Sequence, residues 1–500
     1  MNSDLRYSRI VATANRVRDH SADSHRFLHK SVLLRGDPAA LAIANGRTIF
    51  KTSVRLLIRC CPGLVVAVDD PVLQSEAKRI LHDAEGGGSV VATSMANPAN
   101  FDAILSIGPV VEQGLPDTAT WSDGWCAQVS SFGSMDWGSA SENAVGAVAA
   151  ACLGAGEVFK RLIDLKRDKG RLLDQVSFSL YDYRETIDPG PPLGAIELPP
   201  FLLVGAGAIG NGIALTLIES RATGSATVID YQAYGPENWA TCVLMVAADE
   251  AHPKAAAVAG CLTATGRFTA APLQQMVEQF RGHVPPVVIS ALDSPEARRA
   301  LQLMWPDVII DGAIADFPCE VGVHPWGPDT ACLRCWYLLP VGPSAAFVQA
   351  DATGLPLHLL ADPDAPVTEA HVDAARAEQR QFWRDRIGKP VCSVVAEAVA
   401  AAITAGSLRR GFQPSVPFVA CFSAAMVVGE LFKHAMSSST SLEPRFQFDF
   451  RWGPGRGLPL PMSRLPSCDC VSRRDQIEAI RAKRKVGFGA PRHLRGSNKI

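Results

Sequence analysis

Phe201-Leu-Leu-Val-Gly-Ala-Gly-Ala-Ile-Gly210 runs from four apolar residues into Gly-x-Gly-x-x-Gly, and a helical pattern (Ile213, Leu215, Leu217, Ile218) follows. A buried strand, a glycine turn and a helix in that order make a phosphate seat. Gly205, Gly207 and Gly210 let the backbone turn tightly and approach the anion, while the helix N-terminus offers its free amides. A second apolar run, residues 226–229, ends in Asp230, placed where an acid can accept hydrogen bonds from ribose hydroxyls. Taken alone, these features fit any mono- or dinucleotide, and a nicotinamide dehydrogenase is one reading.

Outward from this turn, further short apolar runs alternate with helical patterns: residues 287–290 and 308–310 after it, residues 64–69 and 103–107 before it. Such runs between helices predict an α/β protein with parallel sheets. Residues 184–200, rich in proline and glycine, cannot hold a helix and read as an extended linker between two parts. Each part ends in a related segment. Ala149-Ala-Ala-Cys-Leu-Gly-Ala-Gly-Glu-Val-Phe-Lys160 and Phe422-Ser-Ala-Ala-Met-Val-Val-Gly-Glu-Leu-Phe-Lys433 share Gly-Glu-(Val/Leu)-Phe-Lys after an alanine-rich run. Burial of a helix does not demand the shared polar residues, so the match predicts duplication of one α/β unit. In the first copy Gly86-Gly-Gly88 lies in a polar loop, and no strand–glycine–helix turn is expected there.

Composition narrows the function classes. The 500 residues are 47 % hydrophobic and 20 % charged, and 48 Lys and Arg nearly balance 50 Asp and Glu. The whole molecule therefore has no electrostatic reason to bind nucleic acid. Residues 473–499 carry nine Lys and Arg against two acids and predict a solvated basic tail. The first residues contain no apolar signal segment, and the apolar stretches 144–155 and 416–431 are too short and small to span a membrane. A cytoplasmic protein is expected, in which thirteen cysteines would serve as metal ligands or nucleophiles rather than disulfides.

Asp230-Tyr-Gln-Ala-Tyr-Gly-Pro-Glu-Asn238, Lys254 sixteen residues beyond Asn238, and Ser290-Ala-Leu-Asp293 with Arg298 resemble the adenylation domain of the ThiF/MoeB and ubiquitin-activating-enzyme superfamily. The likeness continues through Ile309-Ile-Asp-Gly-Ala313, Val321-Gly-Val-His-Pro325 and Cys332-Leu-Arg-Cys335 to Lys433, covering most of residues 200–470. It implies two pseudo-symmetric Rossmann-like lobes: an inactive half (1–183), the linker (184–200), an ATP-binding domain (201–335), an insertion leading to a catalytic cysteine (336–390), the remainder (391–470) and the tail (471–500). By the same resemblance Asp230 holds the ATP ribose, Asn238 and Lys254 the phosphates, and Asp293 a magnesium ion. These roles suit the residue types, since lysine neutralises charge moving onto pyrophosphate and a hard carboxylate holds magnesium. Asp293 also stands where it could cap a helix opening at Pro295.

Two departures from the family pattern stand out. Its arginine after Asn238 falls at Thr241, and the second acid of its Asp-x-Asp falls at Gln232. Arg6-Tyr-Ser-Arg9 is similar to the family's Arg-Tyr-x-Arg opening and offers substitute charge from the N-terminal half.

Cys332, Cys335, Cys468 and Cys470 form two close pairs that suggest one structural zinc with four thiolates. Lys389-Pro-Val-Cys392-Ser resembles the Pro-x-Cys-Thr element carrying the thioester cysteine of ubiquitin-activating enzymes. A helix is expected over 368–386 and another from Val394, placing the Cys392 thiol near a helix N-terminus that favours its thiolate. Cys152, Cys261 and Cys421 read as core.

The resemblance implies a cytoplasmic activating enzyme that adenylates the C-terminal glycine of a ubiquitin-like protein with ATP. Cys392 then takes the acyl group as a thioester for a conjugating enzyme. A JAB-type peptidase encoded in the same operon, within a bacterial conjugation system for phage defence, completes the implied partners. The alternatives are a sulfur-carrier activator for thiamin or molybdopterin synthesis and a catalytically inactive scaffold.

Overall fold

A computed structural model describes residues 3–17, 25–108, 114–133, 140–337, 349–350, 352–362, 364–404, 416–437 and 445–486. The apolar runs form two sheets. The first contains β1 (Ser31–Gly36), β2 (Gly63–Ala67), β3 (Ser89–Val91), β4 (Ala103–Ile107), β5 (Asp117–Asp123), β6 (Cys126–Ser130) and β7 (Gln175–Ser179), in the order β3-β2-β1-β4-β5-β6-β7. The second contains β8 (Phe201–Val204), β9 (Gly224–Ile229), β10 (Phe268–Leu273), β11 (Val287–Ser290), β12 (Val308–Ile314), β13 (Pro318–Pro325), β14 (Arg445–Asp449) and β15 (Leu458–Pro459). Its order is β10-β9-β8-β11-β12-β13-β14-β15.

The first seven positions of the two orders correspond one for one. In each sheet the first five strands pair in parallel and the next two join antiparallel. A shared crossover order of this kind is strong evidence of a common plan, since many orders satisfy the connection rules.

The repeated segment lies in equivalent helices, Ala144–Leu162 and Pro417–Ala435, which pack against each other between the sheets. Their matched polar residues form buried ion pairs one turn apart. Lys160 Nζ lies 2.6 Å from Glu157, and Lys433 meets Glu430. One apolar core, from Ile10 through Trp121 and Phe159 to Phe422 and Phe450, runs through both halves. The Pro417–Ala435 helix is long and apolar enough to cross a membrane by length and composition, contrary to the reading of residues 416–431 as too short. It lies mostly buried in this core.

The first half does contain a strand–turn–helix at the position equivalent to the glycine turn, which the sequence reading missed. β1 ends at Gly36, and Asp37 then caps the short helix Pro38–Leu41, its Oδ1 accepting from Ala39 N at 2.8 Å and Ala40 N at 3.2 Å. The glycine-rich residues 86–88 are a loop before β3, as expected.

Three other expectations are corrected. The helix expected over 368–386 is two short ones, Glu369–Ala374 and Arg380–Arg384, because Ala375 and Arg376 are extended between them. That break turns Trp383 inward onto His371, at a ring separation of 6.0 Å. The basic segment is not wholly solvated. It begins as the helix Arg474–Val486, which buries Ile477 and stacks Arg474 and Arg481 on Trp326; residues 487–500 lie outside the described residues. Cys152 and Cys421 are buried as expected, but Cys261 is only half-buried.

Candidate functional site

The glycine turn follows β8 directly. Gly205 has φ +98°, a left-handed conformation, and a Cβ there would stand 2.4 Å from the Ala291 carbonyl oxygen. Only glycine satisfies both conditions. A Cβ on Gly210 would lie 2.2 Å from the Gly205 oxygen, whereas one on Gly207 would meet nothing within 4 Å. The turn is therefore packed beneath and open at Gly207, where the helix Ala208–Glu219 begins. Asp230, at the end of β9, accepts from Ala206 N at 2.7 Å and Gln232 N at 2.8 Å. Its carboxylate fixes the turn and keeps lone pairs for a further donor.

Lys254 opens the helix Lys254–Thr263 and is buried. Its ammonium donates to Gln232 Oε1 at 2.7 Å and lies 6.0 Å from the Tyr234 ring centroid. Asn238 is also buried, and its Oδ1 accepts from Gly235 N at 2.9 Å, bracing the turn that leads to it. Thr241 is fully buried, so its position has no room for a long cationic side chain reaching solvent.

The N-terminal half grips this segment. Trp239 donates its indole N–H to Ala84 O at 2.9 Å and carries the Arg6 and Arg59 guanidinium groups at 5.3 and 5.5 Å. Arg59 donates to Trp239 O at 3.1 Å and Met245 O at 2.8 Å; burial, with Arg55 nearby, pushes its pKa down to about 10. Arg6 is engaged with Glu85 at 3.1 Å. Arg9 is close enough to Cys242 to favour its thiolate, as Lys254 and Arg59 do, although burial dominates and raises that thiol. Arg59 and Trp239 were not singled out from the sequence, and nothing in the spacing of two residues 180 apart could have paired them.

Asp293 is exposed on the loop after β11, beside the glycine turn. Tyr231 has its phenol raised by partial burial, with the negative charges of Asp293, Asp230 and Glu278 acting in the same direction. Ser294, not Asp293, caps the helix Pro295–Leu301, its Oγ accepting from Ala297 N at 3.1 Å. Arg298 does not reach the open surface. It is buried, paired with Asp311, and donates to Leu292 O, to Gly312 O at 2.8 Å and to Tyr337 Oη at 2.8 Å. Arg445 completes the network through Asp311 at 2.7 Å and Glu320 at 2.9 Å. Burial works against charge on Asp311, but Arg298 and Arg445 outweigh it and hold the carboxyl below its usual range.

Cys392 is the second residue of the helix Val391–Thr404 and is exposed, alone among the thirteen cysteines. Its neighbours on that helix, Val391 and Val394, belong to a small satellite core with Leu355, Val367, Val372 and Trp383, from which Cys392 itself points away. Its helix packs against the N-terminal helix Ser3–Val17 that carries Arg6 and Arg9. Cys242 and Cys319 are buried, with thiols raised by burial, a poor setting for nucleophiles.

The four cysteines of the two pairs converge. Cys332 Sγ lies 3.8 Å from Cys335 Sγ and 3.6 Å from Cys468 Sγ, and Cys335 Sγ lies 3.5 Å from Cys470 Sγ. A tetrahedral ion bound at about 2.3 Å by each sulfur requires sulfur separations of about 3.8 Å. The thiols fit zinc, with no protein position left open. Arg334 and Asp469 form an ion pair across the two pairs, and Trp305 and Ile477 close the cluster.

Fold and site define a mixed α/β protein with two parallel-dominated sheets and a four-cysteine cluster. A family model described as the BilD N-terminal domain matches residues 32–180. An uncharacterized protein, y4jF of Sinorhizobium fredii (strain NBRC 101917 / NGR234), is 26 % identical over 489 residues, covering 93 % of each chain. Among solved structures, E. coli MccB with AMPCPP and MccA is similar at 14 % identity and TM-score 0.31, over 54 % of this chain and 66 % of that one. E. coli MccB with MccA alone gives 14 % identity and TM-score 0.32, over 55 % and 66 %. This chain thus spans just under two thirds of those proteins.

Proposed function

We propose that the protein adenylates the C-terminal glycine carboxylate of a ubiquitin-like protein and carries the acyl group on Cys392 for transfer to a conjugating enzyme. One observation carries the reading. A buried lysine with a neutral partner, Lys254, is linked through Gln232 to Asp230, whose carboxylate fixes an open glycine turn. A carboxylate oxygen of the modifier attacks the α-phosphorus of ATP, and pyrophosphate leaves. Lys254 and Asn238 hold the departing phosphates, Asp230 the ribose, and Asp293 would hold magnesium, which offsets charge on the phosphate oxygens. The Cys392 thiolate then attacks the acyl carbon, and AMP leaves.

The buried position of Thr241 moves the missing positive charge elsewhere. Arg6 and Arg9 of the N-terminal helix are the candidates: Arg6 stacks on Trp239, and Arg9 lies near Cys242 in the same segment. The first half would serve as support rather than a second active site: Asp37 places a resident carboxylate where a phosphate would sit. The match to the BilD N-terminal domain is consistent with a bacterial Bil-type ubiquitin-like system; a JAB-type peptidase as a further partner and phage defence as the role enter the proposal through the family resemblance. Thirteen unpaired cysteines suit a reducing cytoplasm, and the four-thiolate cluster would hold a structural zinc.

The test is ATP–pyrophosphate exchange stimulated by a ubiquitin-like protein, sought among the genes that neighbour this one. Exchange that depends on that protein supports the reading. A catalytically inactive scaffold, which Thr241 favours, predicts none. An activator of a sulfur carrier predicts exchange without an adduct on Cys392.

A further inference from the structure

Lys254 is 5 % exposed and opens a ten-residue helix in which it is the sole charged residue. Both facts work against a cation. The positive end of the helix dipole repels it, and burial strips its hydration. Among the described residues its ammonium has no ion pair; the amide oxygen of Gln232 at 2.7 Å is its hydrogen-bond partner. A buried charge left without a counter-ion is in place to receive an anion.

Gln232 is itself held from several directions. Its N–H donates to Asp230 Oδ1 at 2.8 Å, its carbonyl accepts from Lys254 N at 2.9 Å, and its Nε2 donates to Tyr231 Oη at 3.0 Å. With the amide nitrogen turned to Tyr231, the oxygen faces the ammonium, the orientation that a donor-only lysine requires.

From this geometry we infer that Gln232 is a positioning residue: it ties the Lys254 ammonium, without neutralising it, to the Asp230 segment that fixes the glycine turn, reserving the charge for a polyphosphate. The inference rests on the nucleotide reading above and deepens it. A carboxylate at the same place would be a nearer counter-ion than any phosphate and would add its own repulsion to the incoming anion. The neutral residue at 232 and the neutral Thr241 therefore belong together. The site lacks one acid and one base of the family pattern, so Lys254 meets the phosphates unpaired.

Gln232 is exposed, so its variants keep the fold. Calorimetric titration of the full chain with Mg·ATP and, separately, with adenosine compares wild type, Gln232→Glu and Gln232→Met. Gln232→Glu is expected to weaken Mg·ATP at least about tenfold and to leave adenosine within about twofold, since only the charged part of the ligand senses the new carboxylate. Gln232→Met, which loses the tether but adds no charge, should weaken Mg·ATP less. A purely structural role would move both ligands together and lower the melting temperature. Mg·ATP binding by Gln232→Glu within about twofold of wild type, or an equal loss for adenosine, overturns the inference. A wild-type protein that binds neither ligand overturns the nucleotide reading, and this inference with it.

Discussion

Asp293 has no capping duty, since Ser294 holds the helix that follows. Its removal should therefore affect chemistry rather than folding. Asp293→Ala is expected to abolish pyrophosphate exchange while changing stability by no more than about 0.5 kcal/mol, the usual range for an exposed side chain. Exchange and a melting curve on the same sample check both halves of that statement. Cys392 acts later in the proposed sequence, on a helix of the satellite core rather than in the glycine turn. Cys392→Ala should keep exchange and lose the thiol-reducible adduct with the modifier, as seen on a nonreducing gel. A persistent adduct would remove Cys392 from the mechanism, and the burial of Cys242 and Cys319 would leave no exposed substitute.

Among the elements, the paired helices Ala144–Leu162 and Pro417–Ala435 depend on charges that are out of reach of water. Glu157 accepts from Lys160 at 2.6 Å, Leu173 N at 2.7 Å and Ser131 Oγ at 3.2 Å, so it anchors the chain on either side of its helix. Lys160→Met would leave that carboxylate buried without its cation, a cost of about 3–5 kcal/mol that should appear as a clearly lowered denaturant midpoint. Elements of this kind were only partly legible. β4, β8 and β11 were read to the residue because their runs are almost wholly apolar, with serine the one polar type in them. β1 escaped because its run ends in Arg35, and β5 because Asp117-Thr-Ala-Thr-Trp-Ser-Asp123 looks like a surface segment. The β5 residues are buried all the same and Arg35 is half-buried: Arg35 pairs with Asp117 at 2.8 Å, and Ser106 donates to the same carboxylate. Polar strands satisfied from within carry no hydropathy signal. The glycine turn, Asp230, Asn238, Lys254 and the cysteine pairs were visible from order and spacing. The Asp311–Arg445 contact spans 134 residues and had no local mark.

For the molecule as a whole, the cysteine cluster closes the chain on itself, joining residues 332–335 to 468–470 and holding the docked helix Arg474–Val486 against Trp326. Purified protein is expected to contain about one zinc per chain, measured by metal analysis. Stripping the metal should lower the melting temperature, because binding energy at such a site is folding energy. The apolar core common to the two sheets has a different consequence, in cooperativity. Phe159 meets Phe418 at 5.5 Å, and Tyr183 stacks on Phe446 at 4.8 Å, so neither half can melt without exposing the other. Heating should give one calorimetric transition rather than two. A nucleotide bound beside β8 should then also slow global-opening amide deuterium exchange in β1 and β4, strands it never touches, because the energy that opens one sheet must open both.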